Sequence, residues 1–135
     1  MEFSELLKGL PGFLLYLAVG FALLAAFFVI YLWVTPQDEM RLIRAGNSAA
    51  ALSLSGAAIG FVLPLAIVIA HHATIASVVL WGIVALIVQV LAFFLARSLV
   101  PGLPKAIEDG KVAVGGFAGL ISLGIGILNA ACQIE

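Results

Sequence analysis

The chain has 135 residues, of which 64% are hydrophobic and 10% charged, with a formal net charge of −1 and a mean hydropathy of +1.28. Soluble domains have roughly a quarter of their residues charged, so this composition predicts a membrane protein with a single domain, residues 1–135. It has no basic patch that could bind a phosphate backbone, which excludes nucleic acid as a partner. A single cysteine, Cys132, excludes an internal disulfide.

Three stretches of the chain lack Asp, Glu, Lys and Arg. They cover residues 9–37, 45–96 and 112–134. One crossing takes about 20 apolar residues, so the middle stretch is long enough for two crossings with a turn at residues 70–74. We therefore predict an all-α fold of four transmembrane helices, because a hydrocarbon core offers backbone amides no outside partner. Their approximate bounds are 12–34, 47–70, 74–98 and 111–133.

The connections carry helix signals. Thr35 as a cap and Pro36 at the first helical position predict a short amphipathic helix over 36–45. Its apolar side chains are expected to lie against the membrane: Met40, Leu42 and Ile43. Residues 101–110 repeat this plan more loosely, and residues 3–10 are expected to form a surface turn before the first span.

Lys and Arg concentrate on one side of the predicted membrane. Lys8 alone falls on the side of the termini, and the other five lie in or beside the first-to-second and third-to-fourth connections: Arg41, Arg44, Arg97, Lys105 and Lys111. Cytoplasmic loops are enriched in Lys and Arg. We therefore predict that these connections are cytoplasmic and that both termini and the outer turn are periplasmic.

The two halves of the chain, about 1–70 and 71–135, align at an offset of 64 residues. The aligned pairs are Ile43 with Ile107, Gly46 with Gly110, Ala49 with Ala113, Gly60 with Gly124, and Ala66 with Ala130. Each half then consists of a helix, a short connection, a glycine and a second helix. Two crossings per half give both halves the same orientation, so we predict a parallel repeat of two helical hairpins.

Small residues are frequent in the second and fourth spans. Gly56 and Gly60, and likewise Gly115 and Gly119, have the spacing that lets two helices approach closely. We expect these two spans to pack centrally and the bulkier first and third spans to face lipid, with pore lining as the alternative role for the glycines. Pro64 is expected to bend the second span.

The predicted spans contain no ionisable residue at depth, the usual marker of function in a membrane protein. The polar candidates are Asn47, Gln89 and Asn129. We expect the asparagines to clamp neighbouring helices, with a ligand role as the alternative, and Gln89 to face a neighbouring helix or a second subunit. His71 and His72 lack further metal ligands. With no catalytic constellation, we expect neither a cofactor nor enzyme activity.

The second span also carries a signature. The run IRAGNSAAA at 43–51 is followed by Gly56, by IGF at 59–61 and by PLA at 64–66. This pattern resembles the YjfL-like bacterial inner-membrane family over nearly the whole chain. The resemblance implies four spans, a two-fold repeat and an inner-membrane location, in a family of unknown function with some members beside envelope-maintenance proteins. Lys111 replaces the second-half asparagine of relatives, so the resemblance implies no shared role for paired asparagines.

Two functions fit these features. The first is a non-catalytic membrane subunit, either a homo-oligomer or a docking partner for other envelope proteins. The second is a small channel or transporter for an ion or small solute, in which Asn47, Ser53 and Phe61 would line an anion path. The strong orientation bias and the lack of a continuous polar stripe favour the first function.

Overall fold

The computed structural model describes residues 2–71 and 73–133, and within them it is all helical. The helices are α1 (Phe3–Val34), α2 (Glu39–Arg44), α3 (Ser48–Ala70), α4 (Ile75–Leu99), α5 (Leu103–Glu108) and α6 (Val112–Cys132). The four long helices are apolar enough to cross a membrane. At a rise of 1.5 Å per residue the shortest of them spans about 32 Å, which matches a hydrocarbon core of about 30 Å. The predicted all-α fold with four spans is confirmed.

Helix α1 is longer than predicted. It begins at Phe3 and continues through Pro11, where we expected a surface turn and a span that starts near residue 12. The proline removes one helical hydrogen bond, but Gly12 does not adopt the left-handed conformation that commonly ends a helix. The 32 residues of α1 span about 48 Å. Its first turns, with Glu5 and Lys8, therefore extend beyond a hydrocarbon core of about 30 Å.

Helices α3 and α6 make the most extensive contact of the bundle. They run in the same direction, because Ala49 meets Gly115 near their starts and Gly60 meets Gly126 further along. A Cβ atom built on Gly115, Gly119 or Gly126 would collide with the backbone of α3. Glycine is therefore required at these positions for the two backbones to come this close.

Helix α4 packs on both α3 and α6, whereas α1 lies at the edge of the bundle against α3 and α4. The buried side of α4 is a stripe of small residues around one glutamine: Gly82, Ala85, Gln89, Ala92 and Ala96. The third span thus contributes more to the core than predicted, because its small residues let α3 and α6 pack closely against it. In α1 only Phe27 and Tyr31 are buried. Phe27 stacks on Phe61 of α3 with ring centroids 4.7 Å apart.

The two halves contain the same order of elements: a long helix, a six-residue helix and a second long helix. The starts of α2 and α5, at Glu39 and Leu103, differ by the 64 residues of the sequence alignment. Gly46 and Gly110, also 64 apart, both have positive φ, 87° and 77°, and end the short helices in the same way. Duplication of an ancestral hairpin remains a prediction, as does the orientation of the bundle in the membrane.

Candidate functional site

The first connection places an acidic side chain inside the bundle. We predicted that Thr35 caps a helix over 36–45, but Thr35 ends α1 instead. Helix α2 starts at Glu39. Its cap is Asp38, whose side chain accepts a hydrogen bond from the Arg41 backbone N–H at 3.4 Å. With this start, Glu39 and Leu42 lie on the buried side of α2. Glu39 has no exposed surface. Leu42 is therefore buried in the protein and does not face the membrane as we expected.

Two neighbouring side chains interact with the Glu39 carboxyl. The Gln37 amide donates from Nε2 to Glu39 Oε1 at 3.1 Å, and the Thr35 hydroxyl also interacts with the carboxyl. The second oxygen, Glu39 Oε2, is buried without a partner, and so is Gln37 Oε1. The ion pairs among the described residues join Arg41 to Asp38 and Lys105 to Asp109. Neither includes Glu39, so its charge is not neutralised by a basic side chain in the described part of the chain.

Burial changes the acidity of this carboxyl. Loss of water around the charged form raises the pKa of Glu39 from 4.5 to about 7, although hydrogen bonds from Thr35 and Gln37 oppose the shift. A carboxyl with this pKa is divided between its protonated and charged forms at neutral pH. Glu39 is therefore able to gain or lose a proton under physiological conditions.

Further polar side chains continue from Glu39 into the middle of the bundle. Tyr31 of α1 lies near both Glu39 and the Ser122 side chain, and Gln89 donates from Nε2 to the Ser122 carbonyl at 3.0 Å. Gln89 Oε1 is buried without a partner. We call this group the Glu39 cluster: Tyr31, Thr35, Gln37, Glu39, Gln89 and Ser122. It joins α1, α2, α4 and α6 through side chains that are each at least 96% buried.

Glu39 is not among the site residues predicted from the sequence, because the whole first connection is expected to lie at the membrane interface. A signal was present in the spacing. Residues three and four apart share one face of a helix, so Glu39 lies on the same face as Leu42 and Ile43. If that apolar face is turned toward the bundle, the carboxyl is turned inward with it. The expected absence of ionisable groups at depth concerns the spans, whereas Glu39 lies at the start of α2, in the connection between two spans.

Asn47 joins the two connections. Its Oδ1 accepts from the Ala50 backbone N–H at 3.0 Å and so caps α3, while its Nδ2 donates to the Ile107 carbonyl at the end of α5 at 2.8 Å. One side chain thus satisfies a free donor at the start of α3 and adds a second hydrogen bond to a carbonyl at the end of α5, which also accepts from the Gly110 N–H at 3.0 Å. Asn129 of α6 has a local contact instead, since its Oδ1 accepts from Gln133 Nε2 at 3.1 Å.

The remaining predicted residues lie at the α3–α6 contact or near it. Gly56 faces Gly119, and Gly60 faces both Ser122 and the Gln89 amide. Ser53 and Pro64 are buried in α3. Proline at position 64 leaves the Gly60 carbonyl without its helical donor, and this carbonyl is turned toward Gly126 of α6.

The outer turn carries no metal cluster in the described part of the chain. His71 ends α3, and its ring Nδ1 lies 2.8 Å from the Ile67 carbonyl. His72 is outside the described residues. No group of three His, Cys, Asp or Glu residues comes together among the residues described. Cys132 is a free, exposed thiol.

A groove, which we call the α1 groove, opens between α1 and α3. Its volume is about 630 Å³. Helix α1 contributes three glycines and Tyr16 to the lining, and α3 contributes Val62, Leu65, Ala66 and Ile69. The Tyr16 hydroxyl donates to the Ala73 carbonyl at 2.7 Å, which ties α1 to the turn between α3 and α4. A Cβ atom on Gly9 or Gly12 would meet nothing within 4 Å.

Comparison with known proteins identifies related chains of similar length. The family DUF350, a domain of unknown function, matches residues 5–133. The UPF0719 inner membrane protein YjfL of Escherichia coli (strain K12) is 37% identical over 129 residues, covering 96% of this chain and 98% of its own. The UPF0719 transmembrane protein YshE of Bacillus subtilis (strain 168) is 25% identical over 118 residues, covering 86% and 88%. No solved structure matches.

Proposed function

This chain belongs to the DUF350 family, which includes the inner membrane protein YjfL, and we propose that it is a non-catalytic membrane subunit that assembles with copies of itself through α1. The observation that carries this proposal is the poor packing of α1. It is the longest helix, yet only two of its residues are buried within the chain. The alternative is that another envelope protein docks on the same face of α1, in a role in envelope maintenance.

Two pairs of helical glycines have different surroundings, and the pair in α1 supports a second copy of the chain as the partner at this surface. The backbone of α3 occupies the space beside Gly115 and Gly119 of α6. Gly9 and Gly12 of α1 have the same small size but no neighbour within 4 Å. In membranes, small residues let helices approach closely enough for dispersion contacts and weak hydrogen bonds. An unfilled glycine face beside a groove is suited to receive another helix.

Symmetry favours the same surface on both partners. Most oligomers are closed and symmetric, with one patch meeting its own copy. Two α1 helices that cross near Gly12 would bring the first turns of both helices to the same level. Glu5 and Lys8, one acid and one base in those turns, would then face the opposite charges of the partner.

The test is subunit stoichiometry in lipid nanodiscs, measured by native mass spectrometry. Gly12→Leu places a bulky side chain on the open side of α1, where the folded chain offers no contact within 4 Å. We expect the wild type to be a dimer or larger and Gly12→Leu to be shifted towards monomer. Gly124→Leu is the matched control, because Gly124 of α6 is also without neighbours, and it should retain the wild-type stoichiometry. A monomeric wild type, or equal stoichiometry for the two variants, would contradict the proposal.

A transporter is the second candidate, and the Glu39 cluster favours it specifically. Buried carboxyls that change protonation near neutral pH are typical of proton-coupled transport. Flux of protons and small ions into proteoliposomes separates the two candidates. The subunit proposal expects no flux above empty liposomes. Flux that Glu39→Gln or Asn47→Ala abolishes would favour the transporter.

We also propose that both connections are cytoplasmic and both termini periplasmic, because five of the six basic residues flank the connections. Cysteines introduced singly in a Cys132→Ser background test this orientation. Met40→Cys should react with an impermeant reagent only from the cytoplasm, and His72→Cys only from the periplasm. The reverse pattern would overturn it.

A further inference from the structure

We propose that Glu39, Gln37 and Thr35 form a binding site for a small monovalent cation, which exchanges with a proton on the Glu39 carboxyl. This site lies at the inner end of the first connection and is separate from the α1 groove. The inference therefore does not depend on self-association.

The site contains side-chain oxygens without hydrogen-bond donors. Glu39 Oε2 and Gln37 Oε1 are both buried without a partner. Gln37 Nε2 lies 3.1 Å from Glu39 Oε1, so the two free oxygens belong to side-chain groups that are hydrogen-bonded to each other. Buried oxygens without a donor are costly. A cation between them would satisfy both at once.

The site also lacks a basic side chain among the described residues. The charged form of Glu39 needs a compensating positive charge when it is buried, and it forms no ion pair with the described residues. Neighbouring α3 has no acidic or basic residue from Ser48 to Ala70 apart from its histidine cap, and α1 has none from Gly9 to Val34. On α2 itself, Asp38 and Arg41 pair with each other at the surface, and Arg44 is exposed.

The possible ligands of the site are all oxygen atoms. The site offers one carboxylate and neutral oxygens from an amide and a hydroxyl. Hard cations prefer oxygen ligands, and a single carboxylate balances a single positive charge. Divalent or transition-metal sites usually combine several carboxylates or nitrogen and sulfur ligands. No such group occurs among the described residues. Alkali cations therefore fit this chemistry best.

The exchange is balanced in atoms and charge. The protonated carboxyl releases its proton to solvent, the carboxylate binds the cation, and the site is neutral before and after. Tyr31 is the titratable side chain from a neighbouring helix that lies close to Glu39. One proton leaves the Glu39 carboxyl for each cation that binds.

The experiment is an infrared titration of the full-length protein in nanodiscs, in which the carbonyl band of a protonated carboxylic acid is followed from pH 5 to 9. Each titration is run in sodium, potassium, lithium or the bulky cation N-methylglucamine. We expect a carboxyl that titrates near neutral pH in N-methylglucamine. Its midpoint should fall by about one pH unit, a tenfold loss of proton affinity, in at least one alkali salt.

Three variants assign the signal. Glu39→Gln should remove the band, and Asp38→Asn, which alters the adjacent exposed carboxyl, should leave both titration and cation effect unchanged. Gln37→Leu removes one proposed oxygen ligand and should keep a titrating carboxyl while losing most of the cation effect. A midpoint that is identical in all four salts would overturn the cation site. A band that persists in Glu39→Gln would overturn the assignment to Glu39.

Discussion

The contact between α3 and α6 leads to a quantitative prediction for Gly119→Ala. The added methyl group would meet the Leu52 carbonyl, and a backbone carbonyl within a helix cannot turn away as a flexible side chain could. Overpacking of a well-packed core costs about 1–3 kcal/mol, and replacement of glycine by alanine in a helix returns about 0.5–1 kcal/mol. We expect a net loss on the order of 1–2 kcal/mol, or roughly a 5- to 30-fold change in the folded-to-unfolded ratio.

The assay is unfolding in mixed micelles of increasing sodium dodecyl sulfate content, followed by the fluorescence of Trp33 and Trp81. Gly124→Ala is the control, because it lies on the same helix and its new methyl group meets nothing within 4 Å. It should be as stable as the wild type or slightly more stable. If Gly119→Ala unfolds at the same detergent fraction as Gly124→Ala, the described closeness of α3 and α6 is wrong.

Three further variants test other parts of the structure. Asn47→Ala loses the cap of α3 and the bond to α5, so it should lower the free energy of unfolding by about 1–3 kcal/mol, and Asn47→Asp, which keeps only the cap, should lose less in the same micelle assay. Phe27→Ala removes a fully buried ring stacked on Phe61 and should cost about 3–5 kcal/mol, whereas Phe21→Ala, at an exposed position, should cost little; equal costs would refute this packing. The folded protein holds the Glu39 proton more tightly than the unfolded chain, because the pKa is raised from 4.5 to about 7; this stabilisation is complete below pH 4.5 and is lost as the pH rises to about 7. The loss is on the order of 3 kcal/mol, and Glu39→Gln should abolish this part of the pH dependence in unfolding measured from pH 4 to 8.

The sequence was sufficient for the number of spans and their approximate bounds, because uncharged stretches are long and membranes require helices. It was less sufficient at the ends of helices. Pro11 and Gly12 suggested a break in the helix. Proline removes only the hydrogen bond to the carbonyl four residues earlier, and α1 continues through both residues. Likewise Thr35 and Asp38 are both good caps, and only the three-dimensional path of the chain selects Asp38.

The candidate site was harder to predict than the fold. Composition identified Asn47 and Gln89 as the polar groups of the spans, and the structure gives each a partner on another element. Glu39 was not identified, because its burial depends on how the six-residue helix α2 is rotated about its own axis where it packs on α3. That rotation is set by packing of Leu42 and by the end of α1, which local sequence does not specify.

Self-association through α1 is tested most directly by disulfide crosslinking in native membranes, in a Cys132→Ser background. Leu17 lines the α1 groove, whereas Leu128 is an exposed residue of α6. We predict that Leu17→Cys forms a covalent dimer under mild oxidation and that Leu128→Cys does not. Dimers from Leu128→Cys alone, or from neither variant, would contradict assembly through this helix.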